Sequence, residues 1–151
     1  MKTTTEKTTK ALRELIIINN DRTEGYQRAS EEAKDGDLKI MFGKFSSQSK
    51  RFAEELSSFV TFDDVPEEDK TTSSGKLYRV WMDMKAALAG NNRKAVLTSC
   101  EFGEDVAKKT YDTVLENTED IPSDALAVIR RQRTELQAAH DSVKSMRDRA
   151  S

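Results

Sequence analysis

The chain has 151 residues, the length of a single domain able to bury about 70% of the surface its unfolded form exposes. Hydrophobic residues make up 36% and charged residues 34%, with 6 Gly and 2 Pro, which excludes collagen, a disordered tail and a turn-rich β-sandwich. The formal charge of −2 leaves no basic footprint for nucleic acid, and one His with one Cys excludes the common His/Cys zinc sites and a disulfide framework.

The apolar spacing predicts a first helix over about 4–34, with Leu12, Leu15, Ile16, Asn19, Tyr26, Ala29 and Ala33 on one face. Its only unbroken apolar run, Leu15 to Ile18, is too short for a signal peptide or a membrane span, so a cytoplasmic protein away from the membrane is expected. Asp35-Gly36-Asp37 supplies a stop and an N-cap. A second helix over about 37–61 follows, its face made by Met41, Phe42, Phe45, Ser49, Phe52, Leu56 and Phe59. The acidic segment from Asp63 to Asp69, around Pro66, reads as a solvated connector.

A shorter helix over about 75–89, capped by Ser73 or Ser74, carries Leu77, Val80, Trp81, Met84 and Leu88 and ends at Gly90-Asn91. The next helix, about 92–117, presents Val96, Ser99, Cys100, Gly103, Val106, Ala107, Thr110, Tyr111 and Val114. After the break at Ile121-Pro122, a last helix over about 123–148 buries Leu126, Ile129, Gln132, Leu136, Ala139, His140 and Val143. Tight turns join the first helix to the second and the fourth to the last, while about thirty residues separate the two hairpins. Each long helix spans roughly 35–40 Å at 1.5 Å per residue, so that link can run the length of the others. The expected fold is all-α: an antiparallel four-helix bundle with one long crossover carrying a short extra helix, the whole of 1–151 forming one domain. A cytokine-type bundle would need a second long connection.

Several phrases occur in order: Ile18-Asn19-Asn20-Asp21 with Glu24-Gly25-Tyr26, Phe52-Ala53-Glu54-Glu55-Leu56, Trp81-Met82-Asp83-Met84-Lys85-Ala86-Ala87-Leu88, Cys100-Glu101-Phe102-Gly103-Glu104-Asp105, and Ala138-Ala139-His140. They resemble an uncharacterised bacterial family of ferritin-like four-helix proteins, a domain of unknown function. More distantly the chain looks like the rubrerythrin and bacterioferritin group. That resemblance implies a ferritin-like bundle and raises the question of a carboxylate-bridged di-iron centre.

The residues answer that question mostly in the negative. Such a centre takes a Glu from each of two helices and a Glu-x-x-His from each of the other two. No Glu-x-x-His occurs, Gln137 stands three residues before His140, and the inward positions of the second helix are Ser49 and Phe52. Asn19 precedes Tyr26 by seven residues, as Glu104 precedes Tyr111, so if the tyrosines match those of the relatives, Glu104 keeps a carboxylate that Asn19 has lost. By helical phase Glu24 and Glu101 face water and Glu104 borders the seam.

Asn19, Tyr26, Glu104, Tyr111 and His140 are therefore the candidate ligand-binding residues, with Glu104, Asn19 and Gln132 as possible partners of His140. A buried polar layer of this kind fixes helix register, because misalignment leaves polar groups unpaired. No cofactor is expected. The alternative is iron, manganese or zinc at a degenerate site of Glu104 and His140. Cys100 reads as an inert core thiol. Gly25 and Gly103, inside helices where each costs about 1 kcal/mol relative to Ala, point to close helix approach or a small-ligand groove. Leu77, Tyr78, Trp81 and Met84 could close one side of the bundle or form a self-association contact. The expected role is a non-catalytic binding, scaffolding or stress-associated module.

Overall fold

A computed structural model describes residues 6–61, 64–65 and 75–150. Five helices account for almost all of them: α1 Glu6–Glu32, α2 Gly36–Ser57, α3 Gly75–Ala89, α4 Arg93–Leu115 and α5 Ser123–Arg149. No strand occurs among the described residues. The predicted caps at Ser73 and Ser74, and most of the acidic segment from Asp63 to Asp69, lie outside them.

Helix ends follow local chemistry. The side chain of Asn92 accepts from the Ala95 N–H at 3.0 Å and so caps α4. The left-handed residue that closes the turn before it is Asn91, at φ 53°, rather than the adjacent Gly90. Asp35 precedes α2 in an extended conformation with no side-chain cap bond; Asp37 accepts from the Leu38 N–H at 2.9 Å. The second helix stops at Ser57, four residues short of the predicted end, where the backbone N–H groups of Ser58, Phe59 and Val60 turn back three residues.

The four long helices touch in a closed order, α1 to α2, α2 to α5, α5 to α4 and α4 to α1. Their pairings fix the directions. Arg22 meets Ser49 and Ser30 meets Lys39 across α1 and α2, while Tyr111 meets Gln132 and Glu101 meets Arg147 across α4 and α5, so both hairpins are antiparallel. Arg22 also meets Glu104, and Gln132 meets the Phe52 carbonyl, so each helix runs opposite to both of its neighbours. This leaves α2 and α4 parallel on a diagonal, which is why a long connection must lie between them.

The remaining helix, α3, lies on the seam between α1 and α4. Its consecutive residues Trp81 and Val80 press on Gly25 of α1 and Gly103 of α4: a Cβ at position 25 would overlap the Trp81 indole, and one at 103 would stand 3.2 Å from Val80 Cγ1. Both in-helix glycines thus mark close approach, as their sequence positions suggest.

Among the described residues the buried apolar side chains form two clusters. One contains Leu12, Leu15, Phe52, Leu56, Tyr111, Ile129 and Leu136; the other contains Tyr26, Phe42, Met84, Leu97, Cys100 and Val143. Full burial of each large side chain is worth roughly 1.5–3 kcal/mol. Of the predicted α5 core, Leu126 is only partly buried, because Ala125 takes the inward position beside it. The gap between the clusters, on α1 between Ile18 and Tyr26 and on α4 between Cys100 and Ala107, is where the polar residues stand.

Candidate functional site

At the centre of this gap is Arg22, only 3% exposed. Its Nε and Nη2 donate to the two oxygens of Glu104 at 2.8 and 2.7 Å, a parallel two-bond ion pair between α1 and α4. Its Nη1 donates to Ser49 Oγ at 2.6 Å and Gln48 Oε1 at 3.0 Å on α2. The guanidinium carbon lies 5.2 Å from the Tyr26 ring centre and 5.3 Å from that of Phe45. Glu104 accepts a third bond from the Tyr26 hydroxyl at 2.6 Å, and that hydroxyl is 3.1 Å from Cys100 Sγ. One guanidinium therefore ties three helices together.

A second string of bonds runs on from Asn19. Its Nδ2 donates to the Leu15 carbonyl and to the Tyr111 hydroxyl, both at 2.8 Å. The Tyr111 hydroxyl donates to Gln132 Oε1 at 2.6 Å, and Gln132 Nε2 donates to Glu55 Oε1 at 2.9 Å. Glu55 is held in turn by Arg131 at 2.6 Å. The chain begins in the core and ends at the surface between α2 and α5.

Electrostatics keep these groups in their resting protonation states. Burial would lower the pKa of Arg22, but the charge of Glu104 and its hydrogen bonds outweigh that and hold it above the ordinary guanidinium value. Burial, reinforced by the charges of neighbouring acidic groups, pushes the Tyr26 phenol and the Cys100 thiol up. Burial also raises Tyr111, against the opposing effect of its bond from Asn19. At neutral pH the layer contains no thiolate and no phenolate. Its bonds set helix register: sliding α1 by one turn would strand Arg22 and Glu104 together.

A two-metal carboxylate centre does not fit these residues. Among the described residues the acidic side chain in this layer is Glu104, and both its oxygens are engaged by Arg22. The other strongly buried carboxylate, Asp21, lines the groove between α1 and α3 instead. At the same level α2 contributes Ser49 and α5 contributes Gln132, neither a carboxylate.

Of the predicted site residues, Asn19, Tyr26, Glu104 and Tyr111 do line this interior, while His140 stands apart. His140 Nε2 is 2.9 Å from Asp105 Oδ1 and 3.5 Å from Glu101 Oε2, and its Nδ1 is 3.3 Å from Asp141 Oδ1. The expected partners Glu104, Asn19 and Gln132 are engaged elsewhere. Glu101, expected to face water, is largely covered by α5, where it meets His140 and Arg147. The reason is angular: residues 101 and 105 lie about 100° round α4 from the line of Cys100 and Glu104, which turns them toward α5.

The four α3 residues expected to close the bundle or form a contact divide between its two faces. Leu77 and Met84 are core residues and Trp81 packs edge-on to Tyr26 with ring centres 5.2 Å apart. Tyr78 is 67% exposed and Met82 47%, and these two residues form the free apolar surface of the helix. Beside them a groove of about 290 Å³ runs between α1 and α3, with Gly25 and Trp81 in its lining.

Fold and layer together define an all-helical protein whose interior polar groups bond mainly to one another. The chain belongs to the family described as a domain of unknown function, DUF2383, which matches residues 7–117. That match takes in Arg22, Tyr26, Cys100 and Glu104 and ends before α5. No match to a curated protein is found. No helix among the described residues is long and apolar enough to cross a membrane.

Proposed function

We propose that the protein is a non-catalytic, ferritin-like four-helix bundle, with α3 as an extra helix on its single long crossover, that acts as a binding or scaffolding module in the cytoplasm. The observation that carries this reading is the Arg22–Glu104 pair. A fixed positive charge holds the only acidic group of the central layer among the described residues, in the part of the bundle where di-iron relatives gather carboxylates around cations. A cation placed beside that guanidinium would meet like charge and a carboxylate already bonded three times.

The test is aerobic oxidation of iron(II) with and without the protein, followed by absorbance of the iron(III) product. The expected rate is that of buffer. Acceleration in proportion to protein concentration would overturn the non-catalytic reading.

Self-association through α3 is a second reading, favoured by where exposed apolar side chains fall. Of the four large ones among the described residues, Tyr78 and Met82 lie on α3 and Phe102 on the adjoining α4. Light scattering is expected to give twice the chain mass for the native protein and the single-chain mass for Tyr78→Glu. A single-chain mass for both removes this reading.

A further inference from the structure

We propose that Glu101, Asp105 and His140 form a mononuclear binding site for a divalent transition-metal ion of the zinc class, on the groove between α4 and α5 and separate from the central layer. Each residue offers one donor atom, and the three donors lie within 4.8 Å of one another. The imidazole Nε2 stands 2.9 Å from Asp105 Oδ1 and 3.5 Å from Glu101 Oε2. Ligand atoms around a tetrahedral zinc, at about 2.0–2.1 Å from the ion, are separated by roughly 3.3–3.4 Å, so the observed spacings bracket the edge of such a tetrahedron.

The surroundings are those of a ligand set as well as of a salt bridge. The other ring nitrogen, Nδ1, faces the carboxylate of Asp141 at 3.3 Å, and Gln137 holds the same Asp141 oxygen at 2.9 Å. With the ring proton on Nδ1, toward Asp141, the Nε2 lone pair is left for an ion held with the other two donors, the usual outer support of a metal-bound His. Arg147 engages Oε1 of Glu101 and thereby leaves Oε2 turned to His140. Glu101 and Asp105 are one helical turn apart, so α4 presents both on one side.

Donor type selects the ion. The two carboxylates already face Arg147, on one oxygen of Glu101, and Lys108, 3.8 Å from Asp105 Oδ1, so an incoming ion competes with both; an imidazole with two oxygens suits zinc and its neighbours better than calcium or magnesium. Three protein donors leave a fourth position open. It opens toward solvent, since Asp105 is half exposed, while His140 and Glu101 form the covered wall. None of these groups belongs to the Arg22 network, so the site stands or falls independently of the non-catalytic reading of the core.

The experiment is calorimetric titration of zinc chloride into chelator-stripped protein at pH 7.5, repeated with manganese and magnesium chloride. One zinc per chain is expected, bound more tightly than either of the other two ions. Asp105→Asn and His140→Gln should each weaken binding at least tenfold and Asp141→Asn by about tenfold, whereas Cys100→Ser should leave it unchanged. Melting curves confirm that each variant is folded, and Asp105→Asn, altering a half-exposed side chain, provides the decisive variant if His140→Gln unfolds. Absence of zinc binding by the native protein overturns the proposal. So does binding that survives both Asp105→Asn and His140→Gln, or that is lost in Cys100→Ser.

Discussion

One turn of α4 serves two regions in opposite ways. Glu104 faces inward, 1% exposed, with both oxygens held by Arg22 and one of them also by Tyr26. Glu101 and Asp105 face sideways to α5, where a single imidazole stands between them and one of the carboxylates reaches water. The same residue chemistry is thus sealed in one place and open in the other. A buried carboxylate closed by a guanidinium locks packing, whereas the pair on the α5 side shares a histidine at an edge that reaches water.

That contrast breaks most severely at Arg22. Arg22→Met leaves Glu104 buried without its counter-charge and should destabilise the fold by about 3–5 kcal/mol in urea unfolding. Adding Glu104→Leu to it should recover part of the loss, because the stranded charge is gone; a double variant no more stable than the single one would mean that the pair is not where the energy lies. The α3 contact ranks next. Gly25→Ala forces the Trp81 ring out of its seat and should cost about 1–3 kcal/mol, while Gly103→Ala, which asks only a few tenths of an ångström from Val80, should change stability by less than about 1 kcal/mol after the gain in helix propensity.

On the open side the expected effects are smaller. His140→Ala should cost less than about 1 kcal/mol in the absence of metal, since Asp105 can turn to water and Glu101 keeps Arg147. A loss as large as that of Arg22→Met would place His140 in the structural lock instead.

The surface pairs set the response to acid. The hydrogen bonds from Arg93 depress the pKa of Asp37; burial opposes ionisation of Glu55, but the bonds from Arg131 and Gln132 outweigh it and depress its pKa too. A carboxylate whose folded pKa lies below its unfolded value stabilises the fold above the ordinary carboxylate range, near pH 4, and loses that contribution as pH falls through the depressed value. The melting temperature should therefore decline on acidification through that window, with a shallower slope in Asp37→Asn/Glu55→Gln; an unaltered slope would assign the acid sensitivity to other groups.

Much of this was legible in the amino-acid order. Periodicity placed the five helices of the described residues, and spacings of three, four and seven put Asn19, Tyr26 and Tyr111 on inward faces and Glu104 at the border of the seam. What it missed was the residue that binds them. Arg22 stands three after Asn19 and four before Tyr26, on the same stripe, yet a search for apolar recurrence passes over a charged residue. Its inward position between two polar-tipped residues, opposite an inward Glu104, was the available signal. The neighbours of His140 were hidden for another reason: phase tells which side of α5 the ring leaves from, but not which turn of α4 lies across from it. The i, i+4 pair Glu101 and Asp105 was visible, but its cover came only from packing. Gly25 and Gly103 were legible because an in-helix glycine needs a reason, and α3 supplies one reason for both.

The central claim is that a guanidinium, bonded to Glu104, occupies the middle of the helices. Crystals of protein produced with excess iron and manganese, measured by anomalous diffraction at the absorption edge of each metal, test it most directly. The prediction is continuous density for the Arg22–Glu104 pair with no anomalous peak within bonding distance of Glu104. Two peaks a few ångströms apart beside Glu104, with Arg22 swung away, would contradict it.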